Sequence, residues 1–70
     1  MDTKLFFKLL EINKSELLDI QNNAGFEDLG LTEKMSIEQI ADRITNYVLT
    51  PRFGATLLPN LIEMLEIEWT

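Results

Sequence analysis

Residues 36–48, SIEQIADRITNYV, decide the fold that this sequence predicts. The apolar side chains of the stretch recur at intervals of three and four residues, with charged and amide side chains between them. Its apolar positions are Ile37, Ile40, Ala41, Ile44, Tyr47 and Val48. Ser36, followed three residues later by Gln39, matches the capping-box pattern that opens a helix. We therefore predict an amphipathic helix that starts at Thr32 or at Ser36 and buries one face.

Two helical segments are predicted before this stretch. Apolar residues from Leu5 to Ile12 recur at helical spacing and predict a first helix, with Phe7 off its apolar stripe. Asn13 with Glu16 resembles a second capping box, so residues 16–21 are expected to form a short helix. The first part of the chain thus supplies one main helix and one short one.

A last helix is predicted near the end of the sequence. It is expected to begin near Thr56 or Leu58, with Pro59 in its first turn, where a proline costs no hydrogen bond. Its predicted buried stripe is Leu58, Leu61, Ile62, Leu65 and Trp69. No segment alternates as a strand would. The fold prediction is all-α: a small bundle of three main helices plus one short helix, forming a single helical domain over residues 1–70.

The composition limits the classes of function. The chain has 70 residues, 46% of them apolar, with no cysteine or histidine, and twelve acidic against six basic side chains give a net charge of −6. That balance repels nucleic-acid phosphates and anionic membranes, and it favours a protein partner with a basic face. No apolar run approaches the ~20 residues that span a bilayer. We expect a cytoplasmic protein that binds neither nucleic acid nor membrane.

Catalytic and metal-binding residues are scarce. Without histidine or cysteine the chain lacks the usual bases and nucleophiles near neutral pH. Glu27 and Asp28 form the one obvious pair of carboxylates, and adjacent side chains usually point apart. We therefore expect no enzyme activity, no metal site and no cofactor.

Residues 22–30 are predicted to form a loop, with Phe26 and Leu29 as apolar anchors that hold it to the core.

The loop before the central helix resembles a known family. Residues 22–31, NNAGFEDLGL, are similar to the stretch that precedes the modified serine of acyl carrier proteins. In that family an Asp-Ser-Leu motif follows, and its serine carries phosphopantetheine. Here Leu31-Thr32-Glu33 follows instead, and the first serine is Ser36. The resemblance implies an acyl-carrier-like protein that either carries the arm on Ser36 or has lost it.

The sequence also holds more large apolar residues than a three-helix core needs. They are Phe7, Met35, Tyr47, Leu49, Leu57, Met64 and Trp69. Some of them are expected to form a contact surface. The alternative is that they complete the core, which applies above all to Tyr47 and Met64. Our leading hypothesis is a protein-binding module: an adaptor, an inhibitor or a homodimer. The residues predicted to meet a partner are Phe7, Glu33, Glu38, Asp42, Tyr47, Met64 and Trp69.

Overall fold

The described part of the computed structural model, residues 3–23, 25–50 and 54–69, contains helices and no strand. The helices are α1 (Thr3–Leu10), α2 (Lys14–Asp19), α3 (Ile37–Val48) and α4 (Gly54–Leu65). Two single turns of 3-10 helix, Ile20–Asn22 and Glu27–Leu29, lie between α2 and α3. The predicted all-α bundle of three main helices and one short helix is confirmed. None of the helices in these ranges has the length and apolar character needed to cross a bilayer.

Helix α3 is the centre of the bundle, because α1, α2, α4 and the second 3-10 turn all pack against it. Its fully buried residues are Ile40, Ala41, Ile44, Thr45 and Val48. Leu5 and Leu9 of α1 and Leu61 of α4 join the same core. The helical stripe read from residues 36–48 is therefore the face around which the other helices assemble.

The capping box at the start of α3 is formed as predicted. The Ser36 Oγ accepts a hydrogen bond from the Gln39 N–H at 3.2 Å, and the Gln39 Oε1 accepts one from the Ser36 N–H at 2.9 Å. The two bonds satisfy donors that a helix start otherwise leaves unpaired.

The predictions for the first two helices were wrong at their junction. Helix α1 ends at Leu10, and α2 begins at Lys14, earlier than expected. Asn13 precedes α2, but its side chain makes no capping bond. The Glu16 N–H donates instead to the backbone carbonyl of Asn13 at 3.0 Å. The backbone carbonyl of Asn13 therefore accepts the Glu16 N–H, which the Asn13 side chain was predicted to accept.

Helix α4 begins earlier than predicted. It starts at Gly54, so Pro59 is its sixth residue and lies inside the helix, where it provides no N–H for the Ala55 carbonyl. Because the helix extends further back, Leu57 lies one turn before Leu61 on the same face. Leu57, counted above among the surplus residues, is accordingly buried, with 6% of its surface exposed.

The C-terminal end of α4 also differs from the prediction. The helix stops at Leu65, so Trp69 lies beyond it rather than on its stripe. The Ile67 N–H donates to the Ile62 carbonyl at 3.0 Å, and the Glu66 N–H donates to the Glu63 carbonyl at 3.2 Å. These bonds form a Schellman motif, whose left-handed position is Glu66 with φ +55°.

The loop between α2 and α3 is held by side chains at several points. Phe26 and Leu29 are buried, which confirms their predicted role as anchors. The Gln21 amide forms two bonds with the backbone of Leu31, accepting its N–H at 3.0 Å and donating to its carbonyl at 3.1 Å. The loop is therefore fixed against the core.

Candidate functional site

Two large apolar side chains are exposed among the residues that the structure describes. Phe7 of α1 has 62% of its surface exposed, and Met64 of α4 has 38%. The other two apolar residues predicted to meet a partner, Tyr47 and Trp69, are half-buried against the core. Phe7 and Met64 thus mark the two places at which a partner could cover apolar surface.

Phe7 lies in a shallow depression with charged walls. The depression has a volume of about 190 Å³ and is lined by Lys4, Phe7, Lys8 and Glu11, which we call the Phe7 surface. All four residues lie on or just after α1, at helical spacings that bring them to one side. The ring of Phe6 meets that of Phe7 edge to face, with centroids 5.6 Å apart, so the exposed ring is supported from within.

The residue Trp69 borders this surface. The Lys4 Nζ lies 4.5 Å from the centroid of the Trp69 ring, within the range of a cation–π interaction. Lys4 therefore contacts the C-terminal segment while lining the depression around Phe7. A partner bound at the Phe7 surface would change the environment of Trp69.

Met64 lies in a second, acidic groove of about 260 Å³. We call it the Met64 groove; its lining residues are Glu16, Asp19, Ile20, Asn23, Met64, Leu65 and Glu66. Among the residues that the structure describes, three carboxylates border its apolar residues, and no lysine or arginine lines it. In the described ranges, no group of three acidic residues is placed to hold a metal ion. The groove therefore combines negative charge with apolar surface.

A third depression, of about 570 Å³, runs along the outer side of α3 and is mainly polar. It is lined by Gly30, Met35, Gln39, Asp42, Arg43 and Asn46. The Arg43 Nη1 donates to the Leu29 carbonyl at 3.3 Å, which fixes one wall. Of the acidic residues predicted to meet a partner, Asp42 lies in this depression.

The other predicted acidic residues lie elsewhere. Glu33 and Glu38 are both exposed. The Glu33 backbone carbonyl accepts a bond from the Lys14 Nζ at 2.7 Å, which ties its loop to α2. Glu38 lies one turn before Asp42 on α3. The structure therefore does not gather these three carboxylates and Met64 into one site.

The hydroxyl groups of Ser36 and Tyr47 both form hydrogen bonds that stabilise the fold. Ser36 is exposed, and its Oγ takes part in the capping box described above. The Tyr47 hydroxyl donates to the Gly25 carbonyl at 2.9 Å, and its ring centroid lies 6.4 Å from that of Phe26. Tyr47 thus pins the loop to α3, an internal role that its sequence position did not reveal.

The candidate acid–base pair is described only in part. The carboxylate of Glu27 accepts the Gly25 N–H at 2.9 Å, so it stabilises the turn that precedes it. The side chain of Asp28 lies outside the described residues.

Sequence reasoning missed the charges around Phe7 and Met64. Lys4 and Lys8 stand three residues before and one after Phe7, a spacing that could have indicated a basic border on α1. Glu16 and Asp19 join Glu66 only because α2 packs near the end of α4. No local pattern in the sequence predicts that these residues of α2 lie close to Glu66.

No protein-family model matches the chain, and comparison with curated proteins and with solved structures finds no significant similarity.

Proposed function

We propose that this chain is a non-catalytic protein-binding module whose contact region is the Phe7 surface. The observation that supports the proposal most is the 62% exposure of Phe7. Fully burying such a side chain contributes roughly 1.5–3 kcal/mol, so covering the exposed part is a substantial gain for one contact. Aromatic residues are also enriched where proteins meet.

The side chains around Phe7 are arranged as in a binding surface, which supports a role for the exposed ring in contacting a partner. The ring is supported by Phe6, and Lys4 is held near Trp69, so part of the surface is ordered before a partner arrives. Ordering side chains on binding costs about 0.5–1.5 kcal/mol for each, and a prearranged surface avoids some of that cost. An apolar centre with a charged border is the arrangement of many interfaces.

The proposal is tested by capture on the immobilised chain. Extract from the source cells is passed over wild-type protein, the Phe7→Ser variant and a Lys34→Ser control, since Lys34 is exposed and lies outside the Phe7 surface. We expect Phe7→Ser to lose most of each specifically captured protein and Lys34→Ser to retain it. The added partner should also shift Trp69 emission. Equal capture by all three chains and unchanged emission would refute the proposal.

A carrier role for Ser36 is the second candidate function. It is supported by the exposure of Ser36 at the first turn of α3, where a helix N-terminus favours a phosphate group. The protein would be incubated with coenzyme A and a promiscuous phosphopantetheinyl transferase, and its intact mass measured. A gain of one phosphopantetheine group in the wild type, absent from Ser36→Ala, supports the carrier; an unchanged mass rejects it.

A further inference from the structure

We infer that the partner of the Phe7 surface is a second copy of this chain, whose Met64 groove receives it. The inference rests on the proposed function, because it names the partner of the same surface. It is carried by the opposite charges that surround the two exposed apolar side chains, Phe7 and Met64.

The charges of the two surfaces are complementary. Within the described ranges, two lysines and one glutamate line the Phe7 surface, whereas three carboxylates and no basic residue line the Met64 groove. The whole chain has only six basic residues, so the pair beside Phe7 is a local excess within an acidic protein. Facing patches of opposite sign favour a specific orientation and disfavour others.

The apolar parts of the two surfaces also match. The Phe7 ring is 62% exposed, and the Met64 groove offers Met64, Leu65 and Ile20 between its carboxylates. Methionine adapts to the shape of an aromatic ring, and its sulfur makes favourable contacts with such rings. A phenyl ring entering the groove would place Lys4 or Lys8 beside its acidic border.

Each copy provides both surfaces, so a two-fold dimer makes the contact twice. A two-fold interface is self-complementary: if the Phe7 surface of one copy meets the Met64 groove of the other, the reverse contact follows. The doubled contact matters because each surface alone is small. A weak, reversible dimer is the expected result.

The net charge of −6 does not prevent this association. Repulsion between whole chains acts over long distances and is screened beyond about 8 Å at physiological ionic strength. The lysines and carboxylates of the proposed contact would lie closer together than that. The attraction between these lysines and carboxylates is therefore screened less than the repulsion between the two negatively charged chains.

Exchanging charges between the two surfaces tests the inference. The full-length chain is studied by sedimentation equilibrium up to about 1 mM, where even a weak complex forms, as wild type, Lys8→Glu and Asp19→Lys. Lys34→Glu and Glu38→Lys are the controls, since they make the same charge changes outside both surfaces. Circular dichroism checks that every variant is folded.

The wild type and both controls should form a dimer. Lys8→Glu and Asp19→Lys should each weaken the dimer at least tenfold. Lys8→Glu adds negative charge to the Phe7 surface and Asp19→Lys adds positive charge to the Met64 groove, so either change reduces the charge difference between the two surfaces. An equal mixture of these two variants should restore a heterodimer. Both variants stay net negative, since each substitution changes a charge of −6 by two, so bulk attraction between them cannot account for the rescue.

Three results would overturn the inference: a monomeric wild type at the highest concentration, controls that weaken the dimer as much as the test variants, or a mixture that stays monomeric. If the wild type is monomeric but Phe7→Ser still abolishes capture of another protein, the proposed function stands and only the second copy is rejected. If neither capture nor dimerisation depends on Phe7, both fail.

Discussion

Gly25 joins three parts of the molecule. Its N–H bonds the Glu27 carboxylate, and its carbonyl accepts the Tyr47 hydroxyl from α3. Its φ of +92° is unfavourable for any residue with a Cβ. An added Cβ would also lie 2.9 Å from the Leu57 Cδ2 of α4, too close for an ordinary contact.

We expect Gly25→Ala to lower the free energy of unfolding by about 2 kcal/mol, combining backbone strain with the contact against Leu57. Gly30→Ala is the matched control. Gly30 also has a positive φ, +65°, but its Cβ would meet only the flexible end of Arg43 at 3.3 Å. The control should lose about 1 kcal/mol. Urea unfolding followed by circular dichroism measures both, and equal losses would contradict the role given to Leu57.

Thr45 buries a hydroxyl group for which the described residues provide no hydrogen-bond partner. We expect Thr45→Val to stabilise the protein by about 1 kcal/mol, because valine keeps the branched shape and removes the unpaired oxygen. Thr45→Ala should destabilise it by leaving a cavity. A loss of stability in Thr45→Val, measured by urea unfolding, would show that the hydroxyl is bonded after all.

At the residue scale, the sequence predicted which side chains are buried better than it predicted their hydrogen-bond partners. Phe26 and Leu29 were predicted as anchors because large apolar residues in a polar loop need cover, and both are buried. Tyr47 was predicted to meet a partner, yet its hydroxyl bonds Gly25, 22 residues earlier in the chain. A contact between such distant residues depends on the assembled fold.

At the scale of secondary-structure elements, the capping box fixes the start of α3. We expect Ser36→Ala to lower the free energy of unfolding by about 1 kcal/mol, because the Gln39 N–H loses its acceptor. Ser15→Ala is the control, since Ser15 is an exposed residue inside α2 and should change stability by less than about 0.5 kcal/mol. Thermal and urea unfolding measure the difference, and equal effects would contradict the capping role.

The end of α4 carries an unfavourable residue. Glu66 adopts the left-handed conformation, and its carboxylate lies at the negative end of the helix dipole. Glu66→Gln should stabilise the protein by about 0.5 kcal/mol through loss of the charge. Glu66→Gly should add about 1 kcal/mol more by relieving the backbone. Urea midpoints that rank Gln above Gly would show that strain at this position is negligible.

Helix boundaries were predicted well only where side chains determine them. Ser36 and Gln39 form reciprocal bonds, so their spacing locates the start of α3. At Asn13 the same pattern failed, because the backbone carbonyl accepts the relevant N–H. Pro59 was predicted in a first turn because a proline usually lies there. Pro59 instead lies inside α4, where it costs one backbone hydrogen bond. The longer helix buries both Leu57 and Leu61 in the core.

At the scale of the whole molecule, one core holds all four helices, with a radius of gyration of 10.8 Å. That value is close to the ~11 Å typical of a folded chain of this length. We expect cooperative unfolding with a free energy of about 5 kcal/mol. Trp69 emission and circular dichroism should give the same urea midpoint. An earlier change in Trp69 emission would mean that residues 66–69 detach before the bundle unfolds.

The fold was more predictable than the candidate site for a physical reason. Helical spacing is local, and four such stretches are enough to indicate an all-α bundle. The exposure of Phe7 could be expected because it lies off the apolar stripe of α1. The Met64 groove combines residues from α2 and α4, about 45 positions apart in the sequence, so its charge appears only once the helices have packed.

The contact between Lys4 and Trp69 has a practical consequence for handling the protein. Lys4 lines the depression around Phe7 and also contacts Trp69, so a fluorescent label introduced next to either residue would lie close to the region to be probed. A label at Lys34, in the exposed turn before α3, avoids that obstruction.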